Sequence, residues 1–419
     1  MGASARLRRL TAYDALVLTA LVWFLAKFLR YAFPPLFATP AFRAEFGVSN
    51  ALLGAAYTAM MAVYALMQFP SGALADRLGA TRVVVGGGLV AAAGAFVLTV
   101  PIPGLASGAT VASGPSANWA GVALLVAGML LVGFGTGAHK TVAVRLLSRI
   151  YPARTGRALG VLDTFGAFGG VAAGAAVVFF LDVADWHALF LAGGLVGVGL
   201  AAAVALRVPA RVPATDRDRT ADESVGLGTY LGLFREPRFA AFVGATLCFS
   251  FAYNGAVAFL PSFLTEQAGL STAAASFLFS GLFVVSLVQL LTGDLSDRVG
   301  RLSVIAGTLM VATAGLVALV LVGVAGPVVL GAAVVAFGLG SHGFRPVRGA
   351  YLTEVIPADV AGGGLGAVRT LLMGAGAVAP VVVGAVADAR DFGVAFSLLA
   401  VAMVAAVLLT GAVALLGGE

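Results

Sequence analysis

Lysine occurs only twice among the 25 lysines and arginines of this chain, as Lys27 and Lys140, and both lie inside long apolar runs. Arg30 follows Lys27 by three residues, close to the same face if the run is helical. His139 precedes Lys140, a third run holds His342, Arg345 and Arg348, and a fourth offers the neutral hydrogen-bonding pair Tyr253 and Asn254. A charge at mid-bilayer costs about 2.5–3.5 kcal/mol on the insertion scale, so such side chains should face protein or water. Basic groups gathered there suit an anionic ligand, because arginine grips a carboxylate or phosphate in bidentate fashion and lysine supplies a compact charge. A plainer expectation competes for Lys27 and Arg30: they could snorkel to the outer interface, since Pro34 and Pro35 mark the end of their run. Arg145 and Arg348 sit nearer the other end and read better as gate or topology charges. Arg345 directly precedes Pro346, where a distorted helix would aim its side chain inward.

Proton-handling groups are few. Asp163 is the deepest acid in the first half of the chain. It could couple transport to protons, or it could be a structural partner for a nearby arginine, which is the plainer reading. His139 and His342 could also carry a proton, since histidine titrates near neutrality. Other chemistries find no support. There is no phosphate-cradling Gly-rich loop, three scattered histidines and one cysteine offer no metal-ligand spacing, and no nucleophile–base–acid set stands out. No cofactor, metal or enzymatic activity is expected. The lone Cys248 rules out an intrachain disulfide.

The elements that must carry these residues follow from composition. The chain is 60% hydrophobic and 11% charged, against about 25% charged in soluble proteins. Twelve apolar runs, near 11–34, 50–70, 81–101, 119–144, 157–181, 186–207, 239–262, 272–292, 303–325, 327–350, 360–386 and 392–416, are long enough to cross a bilayer. In lipid they must be helices, because every backbone polar group needs an internal partner. The first is too long for a typical signal-peptide core and carries Lys27 and Arg30. Arginines precede the first run and follow the second, fourth, sixth and eighth, so the positive-inside rule places both termini in the cytoplasm of a plasma or inner-membrane protein. The basic charge balance is this topology signal and does not call for nucleic acid.

A phrase recurs half a chain apart. Gly72-Ala73-Leu74-Ala75-Asp76-Arg77-Leu78-Gly79 follows the second run, and Gly293-Asp294-Leu295-Ser296-Asp297-Arg298-Val299-Gly300 follows the eighth. Phe134–His139 matches Phe337–His342, and Gly160–Thr164 matches Gly366–Thr370. Arg149 stands where Glu354 stands, and Asp163 where Arg369 stands, so two matches reverse charge. The chain therefore reads as two related six-helix halves, 1–207 and 239–419, joined by a polar linker at 208–238 that could include a short interfacial helix at 226–234. The stretch 101–118 reads as a flexible outer loop.

With these motifs the chain resembles the major facilitator superfamily over nearly its whole length. The repeated phrase after the second and eighth runs carries most of the resemblance. Glu354-x-x-Pro357 and Trp186-His187-Ala188-Leu189-Phe190 add to it. The resemblance implies an all-α membrane protein of twelve helices in two pseudo-symmetric halves, with the first, fourth, seventh and tenth helices lining a central cavity. It also implies alternating access. Asp76, Arg77, Asp297 and Arg298 would then form a cytoplasmic latch; Asp76 is expected to seek Arg149, Arg369 or the eleventh helix, and Asp297 and Arg298 to seek Glu354 or the fifth helix. Glycines crowd the fifth and eleventh runs, as close helix packing requires. The expectation is a monomeric secondary transporter of a small anion, coupled to protons, with Arg30, Lys140 and Arg345 as main contacts and Lys27, His139, His342, Tyr253 and Asn254 around them. A drug–proton antiporter is the first alternative, weakened because Gly169-Gly170 has no proline beside it. A non-transporting sensor on the same scaffold is the second.

Overall fold

Helices account for every regular element among the described residues of the computed structural model, which are 13–100, 118–211, 232–322, 326–356 and 361–416. They are α1 (Asp14–Tyr31), α2 (Phe33–Phe37), α3 (Pro40–Phe46), α4 (Asn50–Leu78), α5 (Ala80–Val97), α6 (Trp119–Ile150), α7 (Thr155–Val183) and α8 (Trp186–Arg207). After these come α9 (Pro237–Ser262), α10 (Thr272–Val284), α11 (Gln289–Val299), α12 (Arg301–Leu321), α13 (Pro327–Val355), α14 (Ala361–Ala389) and α15 (Phe392–Leu415). Joining α1 with α2, and α10 with α11 through the short 3-10 turn Val285–Val288, gives twelve helices of membrane-crossing length and hydropathy, so the chain is a multi-pass membrane protein. The expected linker falls largely on residues outside the described ones, with short 3-10 turns at Pro209–Arg211 and Leu233–Arg235 at its ends. The outer loop expected at 101–118, apart from Asn118, nearly all of the helix expected at 226–234, and Pro357 also lie outside them.

The repeated phrase is not a turn. Gly72 to Leu78 are the last two turns of α4, and Gly293 to Val299 belong to α11. Only the final glycines leave the helix, Gly79 at φ 91 and ψ 139, Gly300 at φ 90 and ψ 139. A side chain at such a positive φ is strained, so glycine ends both helices at the same angle.

Residues cluster into two compact units, Met1–Val48 with Ala59–Arg219 and Ser49–Thr58 with Thr220–Glu419. Lipid tails are as apolar as leucine, so helices in a bilayer are held by close packing rather than by exclusion from water. In the first unit a Cβ added to Gly135 on α6 would stand 2.3 Å from the Gly87 carbonyl oxygen of α5, so the two backbones touch. One added to Gly169 on α7 would stand 2.3 Å from the Phe24 carbonyl oxygen of α1. The start of α8 is anchored by Trp186, whose indole N–H donates to Glu45 Oε2 at 2.8 Å while its ring packs against Phe42, Phe46 and Phe190.

In the second unit Gly340 of α13 meets Thr308 and Ala312 of α12 in the same fashion. The first turns of α4 belong to this unit too. Their N-terminal N–H groups have no partner within the helix. Leu52 N–H donates to Ser49 Oγ at 3.3 Å, and the Asn50 and Ala51 N–H groups donate to the two oxygens of Asp388, at 3.0 and 2.6 Å. Asp388 thus caps α4 from another helix, where the positive end of the helix dipole favours a carboxylate. Pro380 breaks the ladder of α14, and the Val381 N–H donates instead to Thr58 Oγ1 at 3.1 Å. Gly54 and Gly384 let the backbones meet, since a Cβ at either would stand within 2.3 Å of a facing carbonyl oxygen.

Candidate functional site

Trp23 of α1 is the floor of a cationic cluster in the first unit. Its indole packs directly against α7 because Gly166 has no side chain: a Cβ there would stand 2.2 Å from Nε1. Three cations gather round the ring. Lys27 Nζ lies 5.5 Å from its centroid, the Arg30 guanidinium 5.6 Å and Lys140 Nζ 5.4 Å. Cations over an indole face are attracted by its quadrupole, by about 0.5–2 kcal/mol each.

Each cation is held differently. Lys27 Nζ donates to Tyr31 Oη at 3.1 Å and lies 4.8 Å over that ring. Arg30 is 3% exposed, donates through Nε to the Ala26 carbonyl at 3.1 Å and stacks 3.8 Å over Tyr64 of α4. Its Nη2 finds no acceptor among the described residues. Lys140 of α6 forms an ion pair with Asp163 of α7. Among the described residues Asp163 is the one carboxylate joined to the three, and it is 59% exposed rather than deeply buried. Its partner is a lysine, not an arginine as the plainer expectation had it. His139 is 2% exposed, lies against the Trp23 ring at 5.8 Å, and has Nε2 3.1 Å from the Thr19 carbonyl oxygen. That contact makes Nε2 the protonated nitrogen. A shallow apolar cleft between α1, α5, α6 and α8 meets His139 and Thr136 but none of the cations.

The second unit repeats the theme more sparely. The Arg345 guanidinium lies 4.2 Å over the Tyr253 ring, and the rings of Tyr253 and Phe283 each meet His342 edge-on at 6.0 Å. Asn254 turns its amide back to the Ser250 carbonyl at 2.8 Å, against Gly376 of α14. Its polarity serves helix packing. Arg348 lies 5.7 Å over Phe344.

The latch residues pair within their own units. Asp76 is bound by Arg145 of α6, whose Nη1 lies 3.1 and 3.0 Å from its two oxygens, and neither Arg149 nor Arg369 takes that place. A carboxylate at a helix C-terminus is disfavoured by the dipole, which explains why it takes a cation. Glu354 is bound by Arg301 at 2.7 Å, not by Arg298. Arg77, Arg149, Asp297, Arg298 and Arg369 are exposed.

Lys27, Arg30, His139, Lys140 and Asp163 are thus brought together, and Arg345, Tyr253 and His342 form a separate group. Sequence reading passed over Trp23, Tyr31 and Tyr64, and marked Gly166 only as one of the close-packing glycines of its run. Trp23 and Tyr31 stand one helical turn on either side of Lys27, a spacing that signals contact. Nothing local signals Tyr64.

Two compact units and twelve apolar helices, with cations collected inside the first of them, define a multi-pass membrane protein with an internal basic site. The chain belongs to the Major Facilitator Superfamily, whose family model matches residues 19–380. It is 28% identical over 279 residues, 62% of this chain and 60% of the relative, to the "Probable sulfoacetate transporter SauU" of Cupriavidus necator. It is 33% identical over 144 residues, 34% of this chain and 28% of the relative, to the "Niacin transporter NiaP" of Acinetobacter baylyi. A third relative, the "4-hydroxybenzoate transporter PcaK" of Pseudomonas aeruginosa, is 34% identical over 41% of this chain and 35% of its own length. The matches thus span less than two thirds of each relative. Among solved structures, the nucleoside transporter NupG superposes with a TM-score of 0.76 at 15% identity, over 95% of this chain and 99% of that one. A bacterial homolog of the human lysosomal transporter Spinster, inward-facing and unoccupied, gives 0.70 at 16% identity, over 97% and 96%. At such identities these likenesses concern the fold alone.

Proposed function

We propose that the chain is a secondary transporter that carries small organic anions by alternating access, coupled to protons, in the plasma or inner membrane with both termini cytoplasmic. The observation that carries the reading is the convergence of Lys27, Arg30 and Lys140 on Trp23 with, among the described residues, a single carboxylate paired to them. Buried charge without a counter-charge is costly, and an anionic substrate supplies it. Relatives named for sulfoacetate, niacin and 4-hydroxybenzoate support the same class. Arg30, Lys27 and Lys140 are the first unit's substrate contacts, with His139 packed behind the ring. Arg345 and Tyr253 are those of the second, steadied by His342 and Asn254. Asp163 couples the proton: it is exposed and shares Lys140, so taking up a proton releases that lysine to the substrate. His139 and His342 are enclosed by rings and backbone and suit this less well. Asp76 with Arg145, and Glu354 with Arg301, act as gating pairs, with Arg77, Arg149, Asp297, Arg298 and Arg369 beside them.

The test is a melting panel on purified protein, followed by uptake into proteoliposomes. A ligand that binds the folded state raises its melting temperature. Carboxylates or sulfonates should stabilise the wild type and fail to stabilise Arg30→Gln and Lys140→Gln. Asp163→Asn should lose accumulation driven by a pH gradient while keeping anion exchange. Stabilisation by lipophilic cations alone would overturn the anion reading.

A further inference from the structure

Resting on the anion reading, we infer that the first-unit site selects small organic dianions, with two acidic groups on a short backbone, over monoanions of the same size. The charge count is the ground. Lys27, Arg30 and Lys140 contribute three positive charges around one ring, each within 5.6 Å of its centroid, so no two of them lie farther apart than about twice that distance. Asp163 offsets one of them, through Lys140. Lys27 and Arg30 form no ion pair with a carboxylate among the described residues: one rests on Tyr31, the other on Tyr64 and a backbone carbonyl. The phenol and indole rings soften those charges without neutralising them. If Asp163 takes up a proton, the deficit grows. In either state at least two cations await an anion.

A monoanion relieves one of them and leaves the other in a desolvated place. Two separate monoanions would satisfy the count, but each would lose its own freedom of motion and repel the other. One molecule that carries both charges avoids both penalties. The unpartnered Arg30 Nη2 provides one fixed donor, and Lys27 on its flexible stem follows the second group.

The experiment is titration calorimetry on the purified full chain in detergent near neutral pH, pairing malonate and sulfoacetate each with its isosteric monoanion, malonamate and carbamoylmethanesulfonate. The expected result is a dianion Kd at least about tenfold below that of its monoanion partner, the effect of one added charge contact. In Lys27→Gln that ratio should fall to within about threefold, because the dianion loses more affinity than the monoanion. Arg30→Gln should weaken both members of each pair. Because Arg30 is buried and its variant could misfold, Lys27→Gln with wild-type melting behaviour decides the matter. Equal affinity for the two members of each pair in the wild type, or a ratio untouched by Lys27→Gln, overturns dianion selectivity while leaving anion binding in place. Failure of every anion to bind overturns the reading on which it rests.

Discussion

Gly166→Ala tests whether the site's shape is set by the missing side chain beneath Trp23. The new Cβ would stand 2.2 Å from the indole Nε1 and 2.5 Å from Cδ1, where ordinary contact begins at 3.4 Å. The ring must therefore retreat by about 1.2 Å, the difference between 3.4 and 2.2. Overpacking of this kind costs about 1–3 kcal/mol. More telling is the displacement, because Lys27, Arg30 and Lys140 all lean on this ring. Misplacing a binding group by 1 Å can cost about 100-fold. Anion affinity should fall by about 10- to 100-fold, equivalent to about 1.4–2.8 kcal/mol, with no charge altered. Calorimetry on the purified variant reads this directly. Gly160→Ala, two turns earlier on α7, is the control: nothing lies within 4 Å of its added Cβ. It should bind as wild type and gain about 0.5–1 kcal/mol of helix stability. Wild-type affinity and melting in Gly166→Ala would refute the claim that the indole is seated on this glycine.

Asp388→Asn keeps one acceptor and turns a second position into a donor facing an amide. Hydrogen bonds to charged groups are worth about 1.5–3 kcal/mol each. Exchange protection of the Asn50 and Ala51 amides should therefore drop by at least about tenfold in hydrogen–deuterium measurements; unchanged protection would mean the cap is idle. Arg145→Gln removes the cation from Asp76, in a pair whose side chains are 49% and 57% exposed. Such exposed pairs contribute about 0–1 kcal/mol, so melting should barely move while the transport rate changes if the pair gates. A rate identical to wild type would remove it from the gating set.

Much of the fold was legible because the bilayer leaves few options. Once a run is long and apolar it is a helix, and Trp186–Arg207 spans the same residues as the run read from sequence. Even the repeated phrase was placed at the correct helices, though it was read as a turn. Helix-formers such as Ala73, Leu74 and Ala75 keep the chain winding until Gly79, where φ turns positive. Pairings were harder. Asp163 lies 23 residues from Lys140 and Asp76 lies 69 from Arg145. Which partners meet depends on how each helix is rotated about its axis. Helices apolar nearly all round give almost no such signal, since periodicity marks a face only when the other face is polar. For the same reason basic residues could be listed from the sequence, while the ring that gathers them could not.

The cap that Asp388 places on α4 has a consequence for how these positions can drift. It reads backbone amides, which every residue but proline supplies alike. The cap itself therefore does not depend on the side chains of Asn50 and Ala51, although the buried Asn50 side chain is constrained by its packing. It does depend on the side chain of Asp388, and Gly54 and Gly384 are fixed too, because any added carbon there meets a carbonyl. One partner in the contact is fixed by its chemistry and the other only by its main chain. Across a set of descendants of this chain, positions 54, 384 and 388 should stay constant while 51 wanders. A contact that long survives sequence divergence would then be invisible as a pair of co-varying residues.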